Sequence, residues 1–184
     1  MITGELKSQI DAVWNDFWSG GISNPLEVME QLTYLLFIKG LDERQTLAEN
    51  KANRLKKPVK SPIFPGGGFS PDGVSAGRDY SDLRWSHFKN LGSAHEMYEV
   101  VDKYVFPFLH ERAKHSSHAK HMDGARLTIP TATLLKKAVD GLDSIPMGDQ
   151  DTKGDVYEYM LSKIATSGQN GQFRTPRHII ELMV

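Results

Sequence analysis

Apolar residues recur at the spacing of an α-helix along most of the chain, and this pattern constrains the fold more than any other sequence feature. Between Leu6 and Phe17 they fall on one helical face, and the helix that follows is apolar almost all round through Leu35–Ile38. This second helix is therefore expected at the centre of the core. Since no run of residues alternates between apolar and polar, the sequence predicts an all-α helical bundle.

Residues suited to capping or ending helices divide the chain into segments. The first helix is expected to end at Gly20-Gly21, and Pro107 is expected to kink or end the helix that contains it. A further helix is predicted from Asp151 to Ala165, whereas residues 61–79, rich in Pro and Gly, are expected to form a long irregular loop. Helix starts are predicted at Asn24, Ser93, Thr131 and Thr175.

Composition excludes several classes of protein. The 184 residues are enough for one domain, or for one domain and part of another. The absence of cysteine excludes disulfides and cysteine-based zinc sites, and it fits a reducing cytoplasm, where we expect the protein to act. Neither a signal peptide nor a membrane span is visible in the sequence. A net charge of −1 argues against a dedicated, strongly basic DNA-binding domain.

Two polar stretches could bind a ligand, although each can also be explained as a solvated surface segment. Residues 51–60, here called the basic segment, either contact DNA phosphates or form a solvated linker. His115, His118 and His121 recur every three residues, but without further ligands a solvated polar stretch is expected there rather than a metal site. The cations of the basic segment are Lys51, Arg54, Lys56, Lys57 and Lys60.

The strongest local pattern lies near the end of the sequence. The helical stretch Gly154–Tyr159 reads GDVYEY, and a glycine turn then leads to GQFRTPR at Gly171–Arg177. These residues resemble the entry to the catalytic domain in methylation subunits of type I restriction-modification systems. The resemblance extends less sharply to Trp14, the run Leu35–Lys39 and Arg84-Trp85, which are similar to the helical amino-terminal domain of that family.

The resemblance implies an activity and a cofactor. Members of the family transfer a methyl group from S-adenosylmethionine to the exocyclic amino group of adenine in DNA. The turn before the last helix lies beside the cofactor in the family, and free N–H groups at a helix start suit the carboxylate of its methionine part. Arg174 departs from the aromatic residue often found at its position. The implied cofactor-binding residues are Gln172, Phe173, Arg174, Thr175, Pro176 and Arg177.

Two motifs that this chemistry requires are missing from the 184 residues. The sequence contains neither the glycine-rich strand–turn–helix of a Rossmann-like methyltransferase nor an Asn/Asp-Pro-Pro-aromatic motif to hold the target base. Asn24-Pro25-Leu26 lacks the second proline and the aromatic residue, and helix capping explains it. We therefore assign no catalytic residue and expect this piece alone to be inactive.

The resemblance also implies an organisation. Residues 1–145 are expected to form the helical domain, and residues 146–184 to begin a methyltransferase domain whose remainder is cut off. The expected partners are duplex DNA, a specificity subunit that selects the sequence, a second modification subunit and the restriction subunit, but not a membrane. The segment would help to close around DNA and to contact these subunits. The alternative is a standalone helical interaction module without catalysis.

Overall fold

A computed structural model describes residues 4–74, 77–114, 124–145, 147 and 150–167. These residues are mainly helical, which confirms the predicted all-α class. The chain also contains a pair of two-residue antiparallel strands that the sequence analysis did not predict, β1 (Gly68–Phe69) and β2 (Arg78–Asp79). The helices are α1 (Gly4–Ser19), α2 (Pro25–Leu55), a 3-10 helix (Tyr80–Leu83), α3 (Trp85–Phe88), α4 (Ala94–Val100), a π-helical turn (Val101–Val105), α5 (Phe106–Ala113), α6 (Ala132–Asp143) and α7 (Gln150–Ser167).

Side-chain caps set three of the predicted helix starts, and the caps at Asn24 and Ser93 were themselves predicted. The Asn24 side chain accepts a hydrogen bond from the Leu26 N–H at 3.1 Å, and Pro25 occupies the first turn of α2. The Ser93 hydroxyl accepts from the N–H of Glu96 at 3.4 Å. Thr131 caps α6 in the same way. Each cap satisfies an N–H group that a helix start leaves without a partner.

The core is built around the first five turns of α2. Met29, Leu32 and Leu35 are almost completely buried, as the apolar pattern predicted. Helix α6 packs against both α1 and α4, and α7 packs against α2 and α1. Gly141 allows the close approach of α1 and α6, because a Cβ atom at this position would overlap the side chain of Val13.

Pro107 lies within a continuous helical segment instead of ending it. The backbone keeps right-handed helical angles from Val100 to Phe106, and the Phe106 N–H bonds to the Val101 carbonyl in the wider π pattern. Proline has no N–H to donate and its ring crowds the preceding turn. A π turn directly before Pro107 provides the local change that the proline requires.

The long Pro/Gly-rich loop is packed against the bundle by aromatic rings. Phe64 stacks on Phe108 of α5 with ring centroids 5.1 Å apart, and Phe69 meets the same ring edge-on at 5.8 Å. Tyr80 adds a third contact to Phe108 at 5.9 Å. The loop therefore has a fixed path over α5, although its sequence lacks helical periodicity.

Candidate functional site

The basic segment is not a linker throughout, because its first half completes α2. Lys51 and Arg54 lie on the last turns of the helix, and Lys56 ends it in a left-handed conformation with φ of 51°. The N–H of Lys57 bonds back to the Ala52 carbonyl at 3.0 Å. Lys60 follows in the loop. The cations are thus carried on an ordered helix end and the turn beyond it.

The part of α2 that carries these cations extends beyond the core. The whole of α2 has 31 residues, which correspond to a length of about 46 Å at 1.5 Å per residue. No side chain of α2 is fully buried after Gln45. Two large apolar side chains of this part, Leu47 and Leu55, are 61% and 56% exposed. We call residues 46–55 the exposed end of α2.

The cations of the basic segment are all exposed, and no side-chain hydrogen bond or ion pair joins them to another described residue. Other surface lysines differ in this respect. Lys103 lies 2.7 Å from Glu99, and Lys136 pairs with Asp140. The basic segment therefore presents positive charge that the described part of the chain does not neutralise.

Arg84 braces the base of this exposed end. Its guanidinium donates to Asp42 at 2.5 Å and to Glu49 at 3.0 and 3.1 Å, and it also donates to the Thr46 hydroxyl at 2.9 Å. Asp42 accepts a second hydrogen bond from the backbone N–H of Ser86 at 2.7 Å. These bonds fix the direction in which α2 leaves the core, because they join two of its turns to the start of α3.

Trp85 has a structural role beside Arg84. Its indole N–H donates to Asp143 of α6 at 2.7 Å, and the Lys89 ammonium lies 2.9 Å from the same carboxylate. Burial acts to raise the pKa of Asp143, but the hydrogen bonds from Lys89 and Trp85 outweigh it and lower the pKa. The Arg84-Trp85 pair noted in the sequence thus ties α3 to α2 on one side and to α6 on the other.

The other residues behind the resemblance to the helical domain also lie in the core. Trp14 and Lys39 are each only 5% exposed. The Lys39 ammonium donates to the carbonyl of Ile145 and pairs with Glu43 at 3.4 Å. Burial lowers the pKa of Lys39, against the effect of Glu43. The burial and the contacts of Trp14 and Lys39 support the fold.

Helix α7 carries the GDVYEY pattern and docks on the bundle through its tyrosines. Tyr159 donates to the Asp11 carboxylate of α1 at 2.6 Å, and Lys163 donates to the same oxygen at 2.6 Å. Burial and the bond to Asp11 raise the pKa of Tyr159 to about 12. The apolar face predicted for this helix is confirmed, since Val156 and Met160 are buried.

Tyr157 differs from Tyr159 because its hydroxyl is buried without a hydrogen-bond partner among the described residues. The residue is only 2% exposed, and burial raises the pKa of its hydroxyl. A buried polar group without a partner is uncommon in folded proteins and costs free energy. One tyrosine of the pattern therefore anchors α7 to α1, and the other fills the core.

A second group of cations, which the sequence analysis did not identify, interacts electrostatically across three helices, because burial and, to a smaller extent, repulsion from Arg44 lower the pKa of Arg112 and of Lys153. Arg44 of α2, Arg112 of α5 and Lys153 of α7 form this group, and we call it the Arg44 cluster. The three residues are far apart in the sequence and share no motif. No local sequence signal identifies them, because their interaction depends on how the helices pack.

The predicted cofactor residues, 172–177, lie outside the described residues, as do His115, His118 and His121. Within the described ranges, no group of three His, Cys, Asp or Glu side chains is arranged to hold a metal ion. Over the same ranges, no helix combines the length and apolar character needed to cross a membrane.

Comparison with known proteins gives a consistent result. Residues 6–142 match the HsdM N-terminal domain family, and residues 148–184 match the N-6 DNA Methylase family. The chain is 23% identical over 190 residues to a type I restriction enzyme EcoEI methylase subunit from Escherichia coli, an alignment that covers all of the chain and 35% of that relative. The chain thus spans about a third of the length of this relative. No solved structure matches the chain. The chain therefore belongs to the HsdM N-terminal domain family and is part of a methylase subunit of a type I restriction-modification system.

Proposed function

We propose that this chain is the DNA-clamping helical part of its subunit, and that it contacts the backbone of duplex DNA through the exposed end of α2. The observation that carries the proposal is the unneutralised positive charge of Lys51, Arg54, Lys56, Lys57 and Lys60 on and beyond this helix end. Such cations give affinity by releasing counterions from phosphates, without reading the base sequence.

The net charge of −1 limits the strength of this contact. The chain alone should bind DNA without sequence preference, with a Kd on the order of 10⁻⁴–10⁻⁶ M at physiological salt. Sequence choice would belong to the specificity subunit. In the assembled enzyme, a second modification subunit on the other side of the DNA would complete the clamp, and the restriction subunit would join the larger complex.

A charge-reversal experiment tests the contact. The double variant Lys56→Glu/Lys57→Glu should weaken binding to several unrelated duplexes equally and lower the salt dependence of the binding constant. The matched control is Lys103→Glu/Lys137→Glu, which makes the same change in net charge at lysines that face Glu99 and Asp16. Fluorescence anisotropy at two salt concentrations measures both variants, and circular dichroism checks their folding.

Two results would contradict the proposal. Equal loss of affinity in the two double variants would show that net charge, and not the position of the basic segment, determines binding. Strong preference for one duplex would show that this segment reads bases itself.

For the full-length subunit, we propose transfer of a methyl group from S-adenosylmethionine to the exocyclic amino group of adenine. The match of residues 148–184 to the N-6 DNA Methylase family favours this activity over a standalone interaction module. The target base must leave the helical stack before its amino group is accessible. We further propose that residues 1–145 form one domain and residues 146–184 begin the next, and that this piece alone is inactive because it lacks the base-holding motif.

The proposed cofactor contact is the segment Gln172–Arg177. Here Thr175 would cap the last helix, so that its free N–H groups face the carboxylate of S-adenosylmethionine. The test is Thr175→Ala in the full-length subunit, with cofactor affinity measured by calorimetry. We expect weaker binding, because loss of a Thr cap typically costs about 0.5–2 kcal/mol. Unchanged affinity and methylation would remove this turn from the cofactor site.

A further inference from the structure

We propose that a cavity between α5, the long loop and residues 125–127 binds a nucleotide whose base carries an exocyclic amino group. The cavity has a volume of about 750 Å³, within the range of sites that take small organic ligands. No residue of the basic segment, all of which the structure describes, lines this cavity. The proposal therefore goes beyond the DNA-backbone contact proposed above and does not depend on it.

One wall of the cavity is a stretch without helix or strand, residues 125–129, of which the first three line it. The Gln31 side chain, in a residue only 1% exposed, donates to the Arg126 carbonyl at 3.0 Å and accepts from the Thr128 N–H at 3.1 Å. Bonds from residues i and i+2 to the same side are the pattern of an extended backbone. The even-numbered residues of the stretch therefore turn these polar backbone groups toward α2.

The backbone of Leu127 faces the opposite side, where α4 and α5 lie. The carbonyls of the neighbouring odd-numbered residues bond on that side, since His110 donates to the Ala125 carbonyl and Tyr98 donates to the Ile129 carbonyl at 2.8 Å. Leu127 lines the cavity, and its N–H and C=O form no hydrogen bond with another described residue. Because these two groups of an extended residue point the same way, they offer a ligand one donor and one acceptor side by side.

A nucleobase fits this pair of groups better than a peptide does. Each base carries a donor and an acceptor next to each other on its hydrogen-bonding edge. A peptide strand would pair with every second residue of the stretch, but the carbonyls on either side of Leu127 are already bonded. Phe69, Tyr80 and Phe106 also line the cavity and supply aromatic surface for a flat ring.

Two charged side chains of the lining select the rest of the ligand. Asp102, in the π-helical turn, and Arg126 are exposed, and neither forms an ion pair or a side-chain hydrogen bond with another described residue. Lys114, a further cation of the lining, pairs with Glu111 at 2.6 Å. A carboxylate accepts from the exocyclic amino group that adenine carries and thymine lacks. A guanidinium binds a phosphate through charge-assisted hydrogen bonds.

Titration of the 184-residue chain with deoxyadenosine monophosphate tests the site, with binding measured by calorimetry at constant ionic strength. The chain should bind this nucleotide more tightly than thymidine monophosphate. Asp102→Ala should weaken the binding of deoxyadenosine monophosphate about tenfold and leave that of thymidine monophosphate unchanged. Arg126→Gln should weaken the binding of deoxyadenosine monophosphate about tenfold and leave that of uncharged deoxyadenosine unchanged.

The matched controls are Asp140→Ala and Arg54→Gln, which remove the same charges from exposed side chains outside the lining of the cavity. Both should bind deoxyadenosine monophosphate like the wild type. Thermal melts check the folding of all four variants. A loss of affinity that is confined to one of the two ligands compared for each variant would not arise from unfolding.

Two results would overturn the inference. One is equal affinity for the two monophosphates that Asp102→Ala does not change. The other is weaker binding of deoxyadenosine monophosphate by Arg54→Gln but not by Arg126→Gln, because the nucleotide would then lie on the basic segment. That second result would leave the proposed DNA contact in place.

A short single-stranded oligodeoxyadenylate distinguishes two sources of the nucleotide. If the site takes an unstacked nucleotide of a DNA strand, the oligonucleotide should bind more tightly than deoxyadenosine monophosphate. If the site takes a free nucleotide, the oligonucleotide should bind no more tightly. Asp102→Ala should weaken the binding of both ligands in the first case and of the mononucleotide in the second, and either result supports the site.

Discussion

Removal of the Asp42 carboxylate should destabilise the protein more than any other single change on the base of α2. The Asp42 side chain is 6% exposed and accepts from Arg84 at 2.5 Å and from the Ser86 N–H at 2.7 Å. Loss of one partner of a buried ion pair typically costs about 3–5 kcal/mol. Arg84 keeps its bonds to Glu49 and Thr46, so we expect Asp42→Ala to cost about 3 kcal/mol, the lower end of that range.

The matched control removes Glu49, the more exposed of the two carboxylates that bind the Arg84 guanidinium. The Glu49 side chain is 37% exposed, so Glu49→Ala should cost no more than about 1 kcal/mol. Urea unfolding followed by circular dichroism measures both variants, with the slope checked for two-state behaviour. If Asp42→Ala costs no more than Glu49→Ala, burial does not determine the strength of this brace, and our account of the Arg84 network is wrong.

Three further predictions concern packing and charge. Gly141→Ala should destabilise the protein by about 1–3 kcal/mol, because the added methyl group would overlap α1. Gly40→Ala should stabilise it by up to about 1 kcal/mol, because the added methyl group has open space beside α2. The melting temperatures of the two variants should therefore shift in opposite directions. Tyr157→Phe should leave the free energy of unfolding unchanged or raise it in urea titrations, because it removes a buried hydroxyl without a partner among the described residues. The pKa of Asp143 is lower in the folded state than its value near 3.8 in the unfolded chain. The Asp143 carboxylate therefore stabilises the fold above that unfolded pKa, and this stabilisation is lost as the pH falls through the lower folded pKa. Urea midpoints measured from neutral to acid pH should fall less steeply for Asp143→Asn than for the wild type.

Local sequence rules predicted the elements that depend on neighbouring residues. Asn24 and Ser93 cap the helices that follow them, and the apolar face of α7 is buried. These features follow from the requirements of a helix start and from helical periodicity, both of which are present within a few residues. The family resemblance depended on equally local patterns.

The sequence analysis did not predict two kinds of feature. One kind depends on residues that are distant in the sequence, and the other is a helical segment that buries none of its side chains fully. The exposed end of α2 has no apolar face to reveal it, because none of its side chains is fully buried; its Ala, Glu, Lys and Arg residues favour helix by intrinsic propensity alone. The Arg44 cluster exists only through the packing of α5 and α7 on α2. The effect of Pro107 depended on a neighbouring π turn, for which the sequence offered no signal.

The length of α2 implies a gradient of local opening along one continuous helix. Its first five turns can open only when the core does, so their amides should exchange with solvent at the rate of global unfolding. Beyond Glu49, the last residue that Arg84 holds, α2 has no fully buried side chain, and the amides of its last turns should exchange much faster. DNA bound at this end would have to order the last turns of α2, which open easily in the free protein. The resulting loss of backbone entropy would offset part of the binding free energy. Slower exchange of these amides on binding would report contact at the helix end without any substitution in the protein.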